Sequence, residues 1–146
     1  MRAQTQFPIH QAELVGLCAL REAAGVTNPF EPATRAQAHV MGDLCDKALC
    51  GGAAGVSLGP GYAPGTTLEE METLCSCARA HGRPVSIDTR MYSMTDLHSL
   101  QEAIELAEVT GCRMIVSHFV YQYGVGVEYE ALEMLELARD RGVDMR

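Results

Sequence analysis

Short apolar runs and longer amphipathic stretches alternate along the chain, with glycines at many of the changeovers. Val56, Val85, Ile115 and Val143 mark successive apolar runs about thirty residues apart, the length of one strand–helix unit in a parallel α/β fold. The first run, from Leu14 to Leu20, predicts a strand leading to a turn near Arg21. Asn28-Pro29-Phe30-Glu31-Pro32 predicts a loop, and Thr34 is then placed to cap a helix running to about Leu49, where Gly51 and Gly52 end it.

The second strand is expected from Ala53 to Gly59, followed by a Gly/Pro-rich loop to Gly65. Thr67 and Glu70 have capping-box spacing, and Leu68, Met71, Leu74, Cys75 and Ala78 share one helical face before Gly82. Pro84 to Ile87 predicts the third strand, ending at Asp88-Thr89-Arg90. A helix signalled by Leu97, Leu100, Ile104 and Ala107 contains a second capping signal, Ser99 with Glu102, and stops at Gly111. Arg113 to His118 reads as a buried parallel strand that delivers a histidine at its carboxyl end. A loop is expected over 119–127, then a helix over 128–141 with Leu132, Leu135 and Ala138 facing inward, then a strand beginning at Val143.

Two folds fit this rhythm: a doubly wound five-strand sheet, or a contiguous part of an eight-unit (β/α)8 TIM-type barrel, which needs roughly 250 residues. A doubly wound domain normally ends by covering its last strand, whereas here a strand is only beginning, so the expectation is an internal portion of one barrel domain over residues 1–146. Polar residues also recur where successive runs stop: Ser57, then Asp88 and Arg90, then Ser117 and His118. In a barrel those positions surround one rim and face a common site.

Composition narrows the class of activity. With 146 residues, 47% of them hydrophobic, the chain has enough apolar mass for a folded core. No stretch approaches the roughly 18 apolar residues of a membrane span and no signal segment opens the chain, so a cytoplasmic protein without membrane partners is expected. A net charge of −8 with scattered Arg and Lys argues against nucleic acid and leaves a small-molecule substrate. The six cysteines form no C-x-x-C pair and read mostly as reduced core residues.

Among the strand-end residues, His118 can act as a metal ligand or an acid–base group, or be a structural histidine bonded to a neighbouring loop. Arg90 can hold a substrate carboxylate with Asp88 orienting it or binding metal; alternatively the two pair with each other or with neighbours at the rim. Tyr62 can reach over a site from the Gly/Pro loop, or be a surface aromatic.

The segment from Gly55 to Gly65 resembles the G-x-S-x-G-x-x-Y-x-P-G signature of N-acyl-D-amino-acid deacylases, the D-aminoacylase branch of the amidohydrolase superfamily. The match continues in order: Leu14-Val15-Gly16 to Leu20-Arg21 is similar to that family's L-V-G-H-x-x-L-R, Asp88-Thr89-Arg90 to its H-x-R, and Val116-Ser117-His118 to its I-S-H-x-K. Gly142-Val143-Asp144 is similar to the stretch before its D-x-Y-P-Y strand. The resemblance implies a distorted (β/α)8 barrel and zinc-dependent hydrolysis of N-acyl-D-amino acids, with His118 as a zinc ligand and Tyr62 at the mouth. Asp88, Leu17 and Val120 stand where the family has His, His and Lys. Its early H-x-H pair, its bridging cysteine and its late catalytic aspartate have no counterparts here. A piece of a barrel alone is therefore expected to be weakly active or inactive, and its open strand edges give self-association as a further expectation. A hydantoinase-like cyclic amidase and a non-hydrolytic binding module remain alternatives.

Overall fold

The predicted apolar runs form strands, and each strand passes to at least one helix. The computed structural model describes residues 9–90 and 97–146. In chain order its elements are β1 (Leu14–Gly16), α1 (Leu17–Ala23), α2 (Arg35–Cys50), β2 (Gly55–Leu58), α3 (Leu68–Ala80), β3 (Val85–Ile87), α4 (His98–Thr110), β4 (Met114–Val116), α5 (Phe119–Tyr123) and α6 (Glu128–Asp140).

The four strands are parallel and lie in chain order, β1-β2-β3-β4. Near the end of the chain Met145 bridges in parallel to Met114, and Val116 N–H donates to Arg146 O, so a fifth stretch joins in the same order. A doubly wound sheet reverses its strand order at a switch point, and this one does not, so that alternative is overturned. The order is that of consecutive units of a (β/α)8-type barrel.

Strand pleat sorts the residues onto two faces. Val56, Val85 and Met114 align across the sheet, as do Leu58, Ile87 and Val116, and all six are buried. Against them lies a helix layer in which α2 packs on α3, α3 on α4 and α4 on α6. Met71, Leu74, Cys75 and Ala78 of α3, with Leu100, Ala103 and Ile104 of α4, fill the space between. Each of the larger side chains contributes about 1.5–3 kcal/mol by leaving water. The opposite face carries Gly16, Ser57, Ser86 and Ile115 in one row.

Thr34 caps α2 as expected, in a capping box with Gln37, and the expected Thr67–Glu70 capping box opens α3. Gly111 ends α4 at φ +62, a left-handed conformation that costs glycine no Cβ clash. Five local expectations are corrected. The run from Leu14 to Leu20 is strand only to Gly16; Leu17, Leu20 and Arg21 then bury one helical face, at i, i+3 and i+4. Ser99 does not cap α4, whose N-cap is Leu97; its hydroxyl meets Tyr123 OH at 3.0 Å. The 119–127 loop contains the short helix α5. In α6 the buried residues are Ala131 and Ala138, while Leu132 is exposed; Leu68 at the start of α3 is exposed as well. No described helix is long and apolar enough to cross a membrane.

Candidate active site

At the carboxyl ends of the strands, Tyr62, Asp88, His118, Tyr121 and Gln122 line a cavity of about 370 Å³. Three of the residues expected from the sequence, on three separate segments, therefore meet at one place. Asp88 continues the β3 ladder, its N–H donating to Leu58 O at 2.8 Å, and Ser117 N–H donates to Ile87 O at 2.8 Å, so both approaches to the cavity are held by sheet hydrogen bonds. Below the rim, Ser86 Oγ and Ser117 Oγ are 2.6 Å apart on the face without helices.

His118 follows at φ +54 and ψ +29, and it is the non-glycine residue with positive φ among those described. A left-handed backbone at a residue with a Cβ costs of order 1 kcal/mol or more. That conformation turns the chain from β4 directly into α5, and Gln122 N–H donates back to His118 O at 2.9 Å. The imidazole is exposed at the cavity.

A buried polar chain fixes Asp88 from behind. The Gln122 amide donates to Asp88 Oδ1 at 2.6 Å and Thr89 Oγ1 donates to Gln122 Oε1 at 3.1 Å. Thr89 Oγ1 also lies 2.7 Å from Tyr123 OH, which lies 3.0 Å from Ser99 Oγ. A carboxylate only accepts, so the donors run in one direction: Ser99 to Tyr123, Tyr123 to Thr89, Thr89 to Gln122, Gln122 to Asp88. Such a chain holds α5 and the end of β3 in one arrangement. Gln122 and Tyr121 were not foreseen from the sequence, because five helical residues are too few to show a period.

Arg90 takes a different place from the one expected. Its Nε donates to Glu102 at 3.0 and 3.2 Å, Nη1 to Pro64 O at 3.0 Å and Nη2 to Thr66 O at 2.6 Å. It is buried and does not line the cavity. These bonds tie the Gly/Pro loop that carries Tyr62 to the end of β3 and to α4. Tyr62, 73% exposed, lines the cavity from that loop. Gly65 lets the loop close: a Cβ there would fall 2.4 Å from the Phe30 carbonyl carbon. A second buried arginine, Arg21, braces the same region; it donates to Glu70 and to Glu31 O, while Glu70 Oε1 accepts from Ala33 N–H at 3.0 Å and Thr67 N–H at 3.1 Å.

A catalytic zinc is usually held by three protein ligands with one position open. The cavity offers His118 and Asp88 as metal-binding types. Among the described residues no third donor joins them: the one group of three potential ligands, Asp46, Cys77 and His81, lies elsewhere. The cavity thus offers two donors of metal-binding type, one fewer than such a site uses.

No family model matches the sequence. The chain is 30% identical over 141 residues to N-acyl-D-aspartate deacylase of Alcaligenes xylosoxydans xylosoxydans, covering 93% of this chain and 28% of that protein. It is 28% identical over 141 residues to D-aminoacylase of the same organism, covering 94% and 29%. Its structure superposes with a TM-score of 0.87 on N-acyl-D-glutamate deacylase from Bordetella bronchiseptica, a crystal structure with zinc and a phosphonate mimic of the tetrahedral intermediate. That match has 30% identity and covers 99% of this chain and 31% of the other. The chain thus spans less than a third of the length of these relatives, and the resemblance to N-acyl-D-amino-acid deacylases is borne out along nearly its whole length. Its fold is that of the corresponding part of a deacylase barrel.

Proposed function

We propose that residues 1–146 form an internal part of one amidohydrolase barrel domain, and that the complete site hydrolyses the amide of an N-acyl-D-amino acid to a carboxylate and the free amino acid. The observation that carries this reading is the convergence of Tyr62, Asp88 and His118 on one cavity at the carboxyl ends of parallel strands. The similarity to three deacylases of this substrate class supports it. In this assignment His118 supplies one ligand to a catalytic divalent metal, zinc by analogy with the deacylase crystal structure. Bound metal would activate a water and polarise the scissile carbonyl. The remaining ligands come from outside the residues described.

Within the chain, Asp88 is oriented by Gln122 and faces the substrate, and Tyr62 covers the mouth. Arg90, expected to bind the substrate carboxylate, acts by holding the Tyr62 loop. The outer edge of β1 is unpaired among the described strands, and association of the isolated chain through that edge is part of the same proposal.

The test is release of free amino acid from N-acetyl-D-aspartate and N-acetyl-D-glutamate, with a hydantoin as the comparison substrate. It is run on the purified chain with added Zn²⁺ and on the native polypeptide that contains it, recovered from its source. Turnover of the D-acyl substrates by a native polypeptide heavier than 15.8 kDa, and little by the chain alone, is expected. Strong zinc-dependent turnover by the chain alone would overturn the partial-site reading, and preference for the hydantoin would overturn the deacylase assignment.

A further inference from the structure

At the other ends of the strands from His118, helices α2 and α3 bring a thiol, an imidazole and a carboxylate together. The ligand atoms of Asp46, Cys77 and His81 all lie within 4.8 Å of one another, and His81 Nε2 is 2.8 Å from Asp46 Oδ1. We infer that this cluster is a binding site for a zinc-class divalent cation that clamps α2 to α3.

The helical spacing explains the convergence. Cys77 lies in the last turn of α3 and His81 is its C-cap, four residues on, so the two side chains project from one face. Asp46 and Cys50 repeat that spacing at the end of α2. The two helices pack on each other and so present three donors to one point, the number of protein ligands in a zinc site that keeps its fourth position for water.

Donor chemistry selects the ion. Sulfur and imidazole nitrogen favour Zn²⁺ or Co²⁺ over Mg²⁺ and Ca²⁺, which prefer all-oxygen sets. Ligand atoms around tetrahedral zinc are separated by about 3.3–3.6 Å, so on binding the 2.8 Å His81–Asp46 contact opens slightly while the wider separations, at most 4.8 Å, close. Cys45, fully buried, is a neighbour of Cys77 on the core side. Because the cluster sits at the carboxyl ends of two helices, on the stability side of a barrel-type unit, its role is to fasten the helix layer.

The experiment is titration of the reduced, metal-stripped chain with Co²⁺ alone, followed by absorption, with Zn²⁺ added as competitor and melting temperature read in parallel. A thiolate-to-cobalt charge-transfer band at one equivalent, displaced by Zn²⁺, and a raised melting temperature are expected. Cys77→Ser should abolish the band, and the surface variants His81→Gln and Asp46→Asn should each weaken binding roughly tenfold or more. Cys18→Ser and His118→Gln should leave band and affinity unchanged. Absence of a thiolate band in the parent chain, its survival in Cys77→Ser, unchanged affinity in both His81→Gln and Asp46→Asn, or its loss in His118→Gln would each overturn the assignment.

Discussion

The two faces of the sheet are built to different ends. On the helix side, Val56, Leu58, Val85, Ile87, Met114 and Val116 are buried under α3 and α4 in a continuous apolar core. On the other side the same strands present Gly16, Ser57, Ser86 and Ile115, and Ile115 is 40% exposed. Stability therefore resides on the first face, while the second, with the rim above it, carries the hydroxyls, the carboxylate and the imidazole. A barrel closes such a second face by curling strands around it, whereas the helix layer here is already packed.

The largest effects should come from the struts that join the helix layer to the rim. Glu70 is nearly wholly buried, pairs with Arg21, and accepts from two backbone N–H groups and the Thr67 hydroxyl. Glu70→Ala strands the Arg21 charge in the interior and should cost about 3–5 kcal/mol in urea unfolding. Next in size, Leu74→Ala in the apolar layer should cost about 2–5 kcal/mol, whereas Ser57→Ala on the open face should stay within about 0.5 kcal/mol. Comparable losses at positions 57 and 74 would contradict the division of labour between the faces.

The reach of sequence reasoning follows the same division. Local features were legible: the Thr67/Glu70 capping box needs only a three-residue spacing, and the strand ends at Asp88 and His118 follow from where apolar runs stop. The partner of Glu70 was not, because Arg21 lies 49 residues away and only packing of α1 on the rest of the fold brings it near. Arg90 was placed correctly on the chain, yet its bonds to Pro64 and Thr66 depend on how a loop 24–26 residues earlier folds back. The apolar run from Leu14 to Leu20 fits either a strand or a helix face, and burial of Arg21 beside Leu17 and Leu20 decides for helix after Gly16. Likewise Cys77 and His81 marked no site in the sequence, because nothing local says that Asp46, on another helix, faces them.

A smaller effect should appear where the two faces are coupled. Thr89→Val keeps the shape of the side chain and removes the hydroxyl that links Tyr123 to Gln122. Both partners then lose a bond in a buried setting, at a cost of about 1–3 kcal/mol. If the chain of donors positions the rim, amide exchange should accelerate in α5 more than in α3; equal acceleration in both would show that Thr89 supports the core alone.

The smallest effect concerns His118 itself. Its left-handed backbone makes the turn from β4 into α5, and glycine would adopt it without a Cβ penalty. His118→Ala and His118→Gly both remove the imidazole and its metal-binding nitrogen, so they differ in the backbone alone. The glycine variant should be more stable than the alanine variant by about 1 kcal/mol, after the greater freedom of glycine in the unfolded chain is offset. That ordering, by more than the few tenths expected of an ordinary extended N-cap, would show that the rim holds histidine in a conformation the helix layer does not need. Equal stabilities would mean that the strain at this position is negligible and that the histidine costs the fold nothing.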